Sequence, residues 1–527
     1  MKTAMGYSGC VTAPHRLAAK SGVDVLAAGG NAIEAMIAAA ATIAVVYPHM
    51  NSIGGDGFWI IRKPGEAPIA IEACGQAAKL ATRDWYRERG HEGAIPTRGA
   101  HAALTVPGTI GGWQKALEMA GDGRRLSLSD LLADAIGHAR NGIAVTQNQF
   151  DCTDQKLDGL RNVPGFAGIY LRDNAPLTTG SKLRQTALAD TLESLAREGL
   201  ESYYLGDIAQ AHDRFWREQD SPLRREDLEA YRCVVTQPLK VKTSLGTLYN
   251  TNPPTQGISS LMILAIFDRL GVKSADGFDH LHGIIEATKQ AFIVRNRELG
   301  DRSSMRIDPQ ELLADSHITA LAEAIDMKRA LSWPHVARDG DTIWMGACDR
   351  DGTMVSFIQS VYWEFGSGLT CPETGVFFQN RGAGFSMQEG PNCLAPGKKP
   401  FHTLNPALAE LNDGRTLVYG TMGGEGQPQT QAALFTRYAA FGRDLQDCIS
   451  APRWLLGRTW GDDTTTLKIE RGLDPELVQQ LRDAGHEVEL VAPVNDIMGH
   501  AGAIAGHADG LIEGANDPRS DGLALAF

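Results

Sequence analysis

The apolar stretch at residues 32–46 constrains the fold of this chain more than any other sequence feature. It is rich in alanine, and a helix built from it is apolar on nearly every face. Such a helix is stable only where other elements cover it on all sides. The longest apolar run, at about 35–47, is shorter than the roughly 20 residues that a membrane-spanning helix needs. We therefore expect a buried helix inside a protein core.

The chain before residue 341 is mostly helical by pattern. The glycine-rich segment 54–57 leads into a short apolar run at 58–61, which is typical of a buried strand. It lacks the Lys-Ser/Thr ending of a phosphate-binding loop. From 106 to about 331 helical patterns dominate, and a mixed polar stretch at 325–339 predicts a loop. Helices are predicted from 21 to 28, from about 110, over 258–270 and over 278–297.

The chain after residue 341 changes to strands. The tetrapeptide at 349–352 and the tripeptide at 412–414 are hairpin turn signals. Predicted strands are 342–348, 353–361, 375–380, 407–411, 416–419 and 488–491, with a helix over 474–485. The fold class is therefore α+β, or a layered arrangement with helices outside sheets.

Composition excludes several classes of protein. Asp and Glu total 63 against 50 Lys and Arg, a net charge of −13. This balance argues against a nucleic-acid partner. The eight cysteines are scattered without a CxxC pair, which predicts reduced thiols and neither a disulfide framework nor a zinc site. The first residues lack the layout of a signal peptide. We expect a soluble cytoplasmic protein with no membrane partner.

Two adjacent glycines are the first candidate for chemistry. Gly423 and Gly424 follow a predicted strand. Successive backbone N–H groups at such a turn can point at one position, as in an oxyanion hole. From these residues alone, an ordinary tight turn is the alternative.

Thr342 is the second candidate. It opens a predicted strand directly after Gly340 and Asp341, where the chain changes from helical to strand-rich. A threonine hydroxyl needs an adjacent base to act as a nucleophile. If the preceding peptide bond were cut, the α-amine of Thr342, with an ordinary pKa near 8, would be that base. The alternative is a β-branched residue that merely begins a strand.

The histidines and serines form no motif that would indicate a metal site or a Ser-His-Asp site. His280 and His282 lack a recognised ligand spacing, and no HExxH motif is present, so we predict no metal. No Gly-x-Ser-x-Gly motif supports a Ser-His-Asp site. The residues alone indicate a soluble enzyme with a candidate oxyanion turn.

Ten motifs in order give the chain a resemblance to the γ-glutamyltransferase family of N-terminal-nucleophile hydrolases. The resemblance covers almost the whole sequence. The motifs are AAGGNA at 27–32, PH at 48–49, IGGDGF at 53–58, VPGT at 106–109, NPP at 252–254, FGSG at 365–368, PGKKP at 396–400, MGG at 422–424, APR at 451–453 and DPRS at 517–520.

The resemblance implies a proenzyme that cuts itself ahead of Thr342. The products would be a mainly helical large chain, 1–341, and a strand-rich small chain, 342–527, which together form one four-layer αββα sandwich. Thr342 would be the nucleophile and the amides of Gly423 and Gly424 the oxyanion hole. Ser360 lies where the family has a hydroxyl residue that hydrogen-bonds the nucleophile's amine. No cofactor is implied, and a homodimer of the processed heterodimer is expected.

The sequence departs from the family's transferases at the substrate clamps. Where they have an arginine for the glutamyl α-carboxylate, this chain has Cys74 and Gly75. Where they have an aspartate for the α-amine, it has Ala383 and Gly384. Without these charge pairs, a γ-glutamyl substrate is not expected.

Bulkier residues occupy other positions around the expected pocket. A serine pair of the family becomes His402 and Thr403, an asparagine becomes Tyr362, and Arg381 lies nearby in sequence. Arg381 or His402 could pair with a substrate carboxylate, although both could instead support the loop. This combination resembles the oxamate amidohydrolase branch, cytoplasmic enzymes of purine-nitrogen breakdown.

The sequence therefore predicts an amidohydrolase that converts oxamate to oxalate and ammonia through an acyl-enzyme. The alternatives are a γ-glutamyltransferase or glutathione hydrolase, a β-lactam side-chain acylase, and an unprocessed, non-catalytic binder of small metabolites.

Overall fold

The computed structural model describes residues 1–123, 125–333, 341–457 and 465–527, without the side chains of Asp122 and Asp341. The strands are β1 (Ala4–Gly6), β2 (Gly9–Ala13), β3 (Asp56–Arg62), β4 (Ile69–Ala73), β5 (Ile143–Ala144), β6 (Leu171–Arg172), β7 (Ala175–Pro176), β8 (Lys182–Leu183), β9 (Val234–Thr236), β10 (Leu239–Thr243), β11 (Gly246–Asn250), β12 (Asp341–Asp349), β13 (Met354–Tyr362), β14 (Ala407–Leu411), β15 (Thr416–Thr421), β16 (Trp454–Leu456), β17 (Leu467–Glu470), β18 (Val488–Val491), β19 (Ala501–Gly506), β20 (Ile512–Asn516) and β21 (Leu523–Ala526).

The α-helices are α1 (Arg16–Ala27), α2 (Ala32–Val46), α3 (Arg83–Arg87), α4 (Thr109–Ala120), α5 (Leu128–Asn141), α6 (Gln147–Leu160), α7 (Phe166–Tyr170), α8 (Thr186–Glu198), α9 (Ser202–Leu205), α10 (Asp207–Glu218), α11 (Arg225–Ala230), α12 (Gly257–Leu270), α13 (Phe278–Glu298), α14 (Asp315–Glu323), α15 (Gln427–Phe435), α16 (Leu445–Ser450) and α17 (Pro475–Asp483).

Two antiparallel sheets form the centre of the molecule. The first has the order β1-β20-β19-β15-β14-β11-β10, and the second has the order β21-β2-β12-β13-β3-β4-β9. Apolar side chains from both sheets meet between them, among them Cys348 and Met354 of the second sheet and Val418 and Ile504 of the first. The two sheets therefore pack face to face.

Helices cover the outer face of each sheet. A hydrophobic cluster joins α1, α2, α4, α5 and α8 to the second sheet, and another joins α12, α13 and α15 to the first. The result is the expected α+β class, built as a four-layer αββα sandwich. Among the described residues, no helix combines the length and apolarity that crossing a membrane requires.

The prediction for residues 32–46 is confirmed, because α2 has the same bounds and every one of its residues is buried. Its one charged side chain, Glu34, is used at the helix start. The Glu34 carboxylate accepts hydrogen bonds from the backbone of Asn31, at 3.0 Å, and of Arg125 and Leu126, both at 2.8 Å. These bonds offset the cost of burying the charge.

Two expectations about strands need correction. Residues 375–380 do not form a strand, because Phe377 and Phe378 make only isolated bridges, to Thr370 and Gly54. The helical expectation for 106–331 missed the hairpin of β10 and β11. The alternation in Leu239–Thr243, buried at 239 and 241 and exposed at 240 and 242, was the period-two signal for it. Of the predicted loop at 325–339, residues 334–339 lie outside the described residues.

Both sides of the predicted processing point contribute to both sheets. In the second sheet, β12 and β13 lie between β2 and β3 from the first part of the chain. In the first sheet, β14 pairs with β11. Because each sheet mixes strands from both parts, neither part could form a sheet of this order alone.

The indole of Trp344 joins the two sheets close to the start of β12. A Cβ built on Gly420 of β15 would lie 2.2 Å from the Trp344 ring, and one on Gly502 of β19 would lie 2.5 Å from it. The start of β12 therefore faces the end of β15 across the sandwich.

We expect Gly420→Ala to lower the free energy of unfolding by about 1–3 kcal/mol, because the added methyl group overpacks the Trp344 ring. Denaturant unfolding followed by tryptophan fluorescence measures the change. The matched control is Gly137→Ala within α5, where a Cβ meets nothing within 4 Å. Equal stability of the two variants would contradict the proposed contact.

Candidate active site

Thr342, Ser360 and Asp56 form a row across three neighbouring strands. The Thr342 hydroxyl in β12 donates a hydrogen bond of 3.3 Å to the Ser360 Oγ in β13. Ser360 is in turn the direct register partner of Asp56 at the start of β3. Directly opposed residues of antiparallel strands share a face of the sheet. The row therefore lies at the end of the space between the two sheets, and all three side chains are buried.

The end of β13 is shaped by an unusual backbone conformation. Tyr362 has a φ of 83°, which is rare for a residue with a side chain. Its N–H donates a 2.8 Å hydrogen bond to the Ser360 Oγ. A bulge in the pairing of β12 with β13 falls between Asp341 and Ile343. Bulges re-aim side chains at functional sites, and here the irregularity falls at Thr342.

Only one of the two oxygens of the Asp56 carboxyl group accepts hydrogen bonds from the described residues. Its Oδ1 accepts hydrogen bonds from Gln379 Nε2, at 3.0 Å, and from the Gly75 N–H, at 3.2 Å. Its Oδ2 has no hydrogen-bond partner among the described residues. The nearest basic atom is His402 Nε2, at 3.5 Å. Burial raises the pKa of Asp56 to about 7, although Gln379 and the positive charge of Arg381 oppose the shift.

Arg381 is a buried cation with two unused donors. It is 1% exposed, and its guanidinium lies over the Tyr362 ring at 3.9 Å from the ring centroid. Within the described part of the chain, Nη1 and Nη2 make no hydrogen bond. Burial lowers the pKa of Arg381 to about 10, so the group remains charged at neutral pH. Buried arginines are normally paired, and this one presents a fork that fits a carboxylate.

His402 and Thr403 complete the same region. His402 is fully buried and packs at the edge of the Phe58 ring, with 5.1 Å between centroids. Burial, Arg381 and Lys399 together hold the pKa of His402 well below its usual range, so the imidazole is neutral. Neither imidazole nitrogen nor the Thr403 hydroxyl has a hydrogen-bond partner among the described residues.

The glycine turn follows β15. Gly423 has a φ of 113° and Gly424 a φ of 53°, the left-handed region that favours glycine. The turn also packs closely against Gly499. A Cβ at Gly499 would lie 2.2 Å from the Met422 carbonyl oxygen, so this position also requires glycine. Successive N–H groups in a turn can form a concave anion site.

Gln256 connects this turn to the segment that carries His402 and Thr403. Its Nε2 donates hydrogen bonds of 2.8 Å to the carbonyl oxygens of both Thr403 and Gly424. Its Oε1 accepts a 3.0 Å bond from Arg295, which also forms a buried ion pair of 2.7 Å with Glu425. This network fixes the orientation of the glycine turn from the first part of the chain.

The structure gathers the predicted residues into two groups. Thr342, Ser360, Tyr362 and Arg381 are linked by direct contacts, and His402 reaches them through Asp56. The second group is Thr403 with Gly423 and Gly424, linked through Gln256. The packing of Trp344 on Gly420 places the two groups at the same end of the sandwich.

Sequence reasoning missed Asp56 and Gln256 as site residues. Asp56 lay within the IGGDGF motif, and Gln256 followed the NPP turn, so both were read as turn residues. An acidic residue directly before a fully apolar strand was the available signal, because buried acids are rare without a partner or function.

One cluster could hold a metal ion by its donor types. The ligand atoms of His282, Glu286 and His486 lie within 4.8 Å of one another, and all three are buried. However, His282 Nδ1 and His486 Nε2 already share a 2.8 Å hydrogen bond. The Lys289 ammonium lies 2.7 Å from Glu286 Oε1, and this positive charge would repel a cation. The donors are therefore used internally.

The fold is that of an N-terminal-nucleophile hydrolase. The family model described as Gamma-glutamyltranspeptidase matches residues 18–527. The chain belongs to this family, and it is an amidohydrolase that acts on amide C–N bonds.

Three relatives illustrate the similarity. The oxamate amidohydrolase proenzyme of Klebsiella pneumoniae is 51% identical over 522 residues, covering 98% of each chain. The glutathione hydrolase-like YwrD proenzyme of Bacillus subtilis is 37% identical and covers all of both chains. The crystal structure of a cephalosporin acylase from Bacillus halodurans superposes with a TM-score of 0.92 at 30% identity, covering 100% of this chain and 97% of that one.

We expect Ser360→Ala to slow cleavage ahead of Thr342 by about tenfold or more, because the Thr342 hydroxyl loses its acceptor. The fraction of cleaved chain on a denaturing gel over time measures this. Ser356→Ala is the matched control, since it removes a buried hydroxyl of the same strand that accepts a 3.0 Å bond from Trp344 instead. Equal slowing in both variants would indicate a general loss of stability.

Proposed function

We propose that this enzyme hydrolyses a small amide that carries a carboxylate, with oxamate as its substrate and oxalate and ammonia as its products. The observation that carries the proposal is the buried guanidinium of Arg381, whose two terminal nitrogens lack hydrogen-bond partners among the described residues. A carboxylate on the substrate supplies the missing partner. The similarity to the Klebsiella oxamate amidohydrolase proenzyme supports the same substrate.

Activation begins with cleavage of the peptide bond between Asp341 and Thr342. The Thr342 Oγ attacks the Asp341 carbonyl carbon, the C–N bond breaks, and the resulting ester is hydrolysed by water. This step leaves a carboxylate on Asp341 and a free α-amine on Thr342. Relatives named as proenzymes support such processing. The two products are the chains 1–341 and 342–527.

The catalytic cycle uses the hydroxyl and the new amine of the same residue. The Thr342 Oγ attacks the amide carbon of the substrate, and the α-amine accepts the hydroxyl proton. The N–H groups of Gly423 and Gly424 stabilise the negative oxygen that forms, at about 3 kcal/mol for each donor. Ser360 orients the nucleophile. The leaving nitrogen takes up the proton and departs as ammonia.

Water completes the cycle. Thr342 is now linked to the acyl group through an ester, and the α-amine is free again to accept a proton from water. Attack of water on the ester carbon releases the acid and restores the Thr342 hydroxyl. No cofactor takes part in these steps. The resemblance further predicts a cytoplasmic location, a place in purine-nitrogen breakdown and a dimer of the processed heterodimer.

The filled pocket argues for a small acyl group. Tyr362, Arg381 and His402 are large side chains, all buried around the row that carries Thr342. Oxamate has one carboxylate and one amide. Its binding requires one positively charged side chain for the carboxylate and no acidic side chain for an amine. A γ-glutamyl group adds an α-amine, and the aspartate that the family's transferases use for it is replaced here by Ala383 and Gly384. Turnover of a chromogenic γ-glutamyl anilide would favour the glutathione hydrolase alternative.

We expect Thr342→Ala to remain a single uncleaved chain and to release ammonia from oxamate at least 10³-fold more slowly than wild type, because both nucleophile and processing are lost. An enzyme-coupled ammonia assay and intact mass measure the two effects. Thr342→Ser, which keeps a hydroxyl and an α-amine, should still be processed and active. If Thr342→Ala were as active as wild type, the nucleophile would be wrongly assigned.

We expect Arg381→Gln to raise the KM for oxamate by about 10- to 100-fold, because a charge-assisted pair with the carboxylate is lost. The matched substrate is oxamide, in which a neutral amide replaces the carboxylate. Its KM should change little, so that the preference for oxamate over oxamide falls. A parallel loss on both substrates would show that Arg381 only supports the loop.

A further inference from the structure

We propose that Asp56 is a specificity residue that binds the substrate carboxylate as a neutral acid, donating a hydrogen bond from Oδ2 beside the guanidinium of Arg381. The inference rests on the proposed function and assigns this carboxyl group a direct part in it. Asp56 thereby makes binding of an anionic substrate depend on a proton held by the enzyme.

The position of Asp56 in the sheet is the first argument. It lies one strand beyond Ser360, which lies one strand beyond Thr342. Opposed Cβ atoms on adjacent strands are about 5 Å apart, so Asp56 lies within one strand spacing of Ser360, whose Oγ contacts Thr342. A short substrate whose amide carbon is bound at the Thr342 Oγ can therefore extend along this face of the sheet toward Asp56. In oxamate that end is the carboxylate.

The hydrogen bonds of Asp56 are the second argument. Oδ1 is occupied by Gln379 and Gly75, which fix the plane of the carboxyl group. Oδ2 is buried without a partner among the described residues, as are Nη1 and Nη2 of Arg381. No ion pair joins these two side chains within the described part of the chain, although their charges influence each other. Buried polar atoms of this kind require a partner, and one bound carboxylate satisfies both groups.

The charge state is the third argument. An ionised Asp56 would repel a substrate carboxylate at the same place, whereas a protonated one donates a hydrogen bond to it. Burial raises the pKa of Asp56 to about 7, so that it is neutral below this pH and ionised above it. The neutral His402, at 3.5 Å from Oδ2, provides no fixed positive charge that would hold Asp56 ionised.

Several other groups share the electrostatic environment of Asp56. They belong to helix α9, to the segments that follow β4 and α11, to the 3₁₀ turn at 381–384 and to the loop before β14. After the proposed processing, the free α-amine of Thr342 joins them. The titratable and charged side chains are Cys74, Tyr204, Tyr231, Arg381, Lys399 and His402. Burial raises the pKa of Cys74, Tyr204 and Tyr231, so these three stay neutral near pH 7.

The test compares the KM values of oxamate and oxamide for the wild-type enzyme between pH 6.5 and 8.5. We expect the oxamate KM to rise roughly 10- to 30-fold over this range, because only the fraction with a neutral Asp56 binds the anion. The oxamide KM should stay nearly constant. The α-amine of Thr342 titrates in the same pH range, and its loss of positive charge also weakens binding of the anion. The part of the pH dependence that disappears in Asp56→Asn is therefore the part assigned to Asp56.

Asp56→Asn provides the second measurement. An amide keeps an acceptor toward Gln379 and Gly75 and a permanent donor at the other position. We expect most of the pH dependence of the oxamate KM to disappear in this variant, and its KM to stay close to the low-pH value of wild type.

Three outcomes would overturn the proposal. One is an oxamate KM that is constant or falls with pH in wild type, and another is an unchanged pH dependence in Asp56→Asn. The third is an equal dependence for oxamide. Absence of ammonia release from oxamate by wild type at every pH would instead remove the proposed function, and this inference with it.

Discussion

The pairing of β12 with β13 is the interaction on which the site depends. β12 is an interior strand of its sheet, between β2 and β13, and Thr342 is the second residue of the strand. A residue in this position is held by the hydrogen bonds of the strand that follows it. The proposed cut ahead of Thr342 would therefore free an amine without releasing the hydroxyl from Ser360.

The segment before the processing point has its own attachment. Leu331 exchanges hydrogen bonds with the Lys289–Glu286 pair of α13, at 2.6 and 3.0 Å, and the Asp326 carbonyl oxygen lies 2.9 Å from His282 Nε2. The pair is only 2% exposed, and breaking a buried pair typically costs about 3–5 kcal/mol. Residues 326–331 are thus held by helix α13.

Local patterns predicted the parts of the fold that local forces determine. The bounds of α2, the turn at 349–352 and the hairpin of β14 and β15 follow from apolar periodicity and turn chemistry. The family motifs added two predictions, a four-layer sandwich and Thr342 as the nucleophile. Several of these motifs prove to join distant segments: Arg453 of APR forms a buried ion pair with Asp517 of DPRS, and Asp517 also accepts a 2.7 Å bond from the Ala501 N–H. Neither pattern could place Asp56 or Gln256, because their roles arise from strand register and from contacts across more than 140 residues.

The charges around this site differ from those that the resemblance to the family's transferases would predict. The positions of their two clamps hold Cys74, Gly75, Ala383 and Gly384, none of which carries a charge. In their place, a buried Arg381 stands beside an acid whose pKa burial has raised. A fixed cation next to a titratable carboxyl group gives a net positive pocket only while that carboxyl is protonated. Under the proposed function, the burial that makes the pocket small thus also sets the pH range in which an anionic substrate binds.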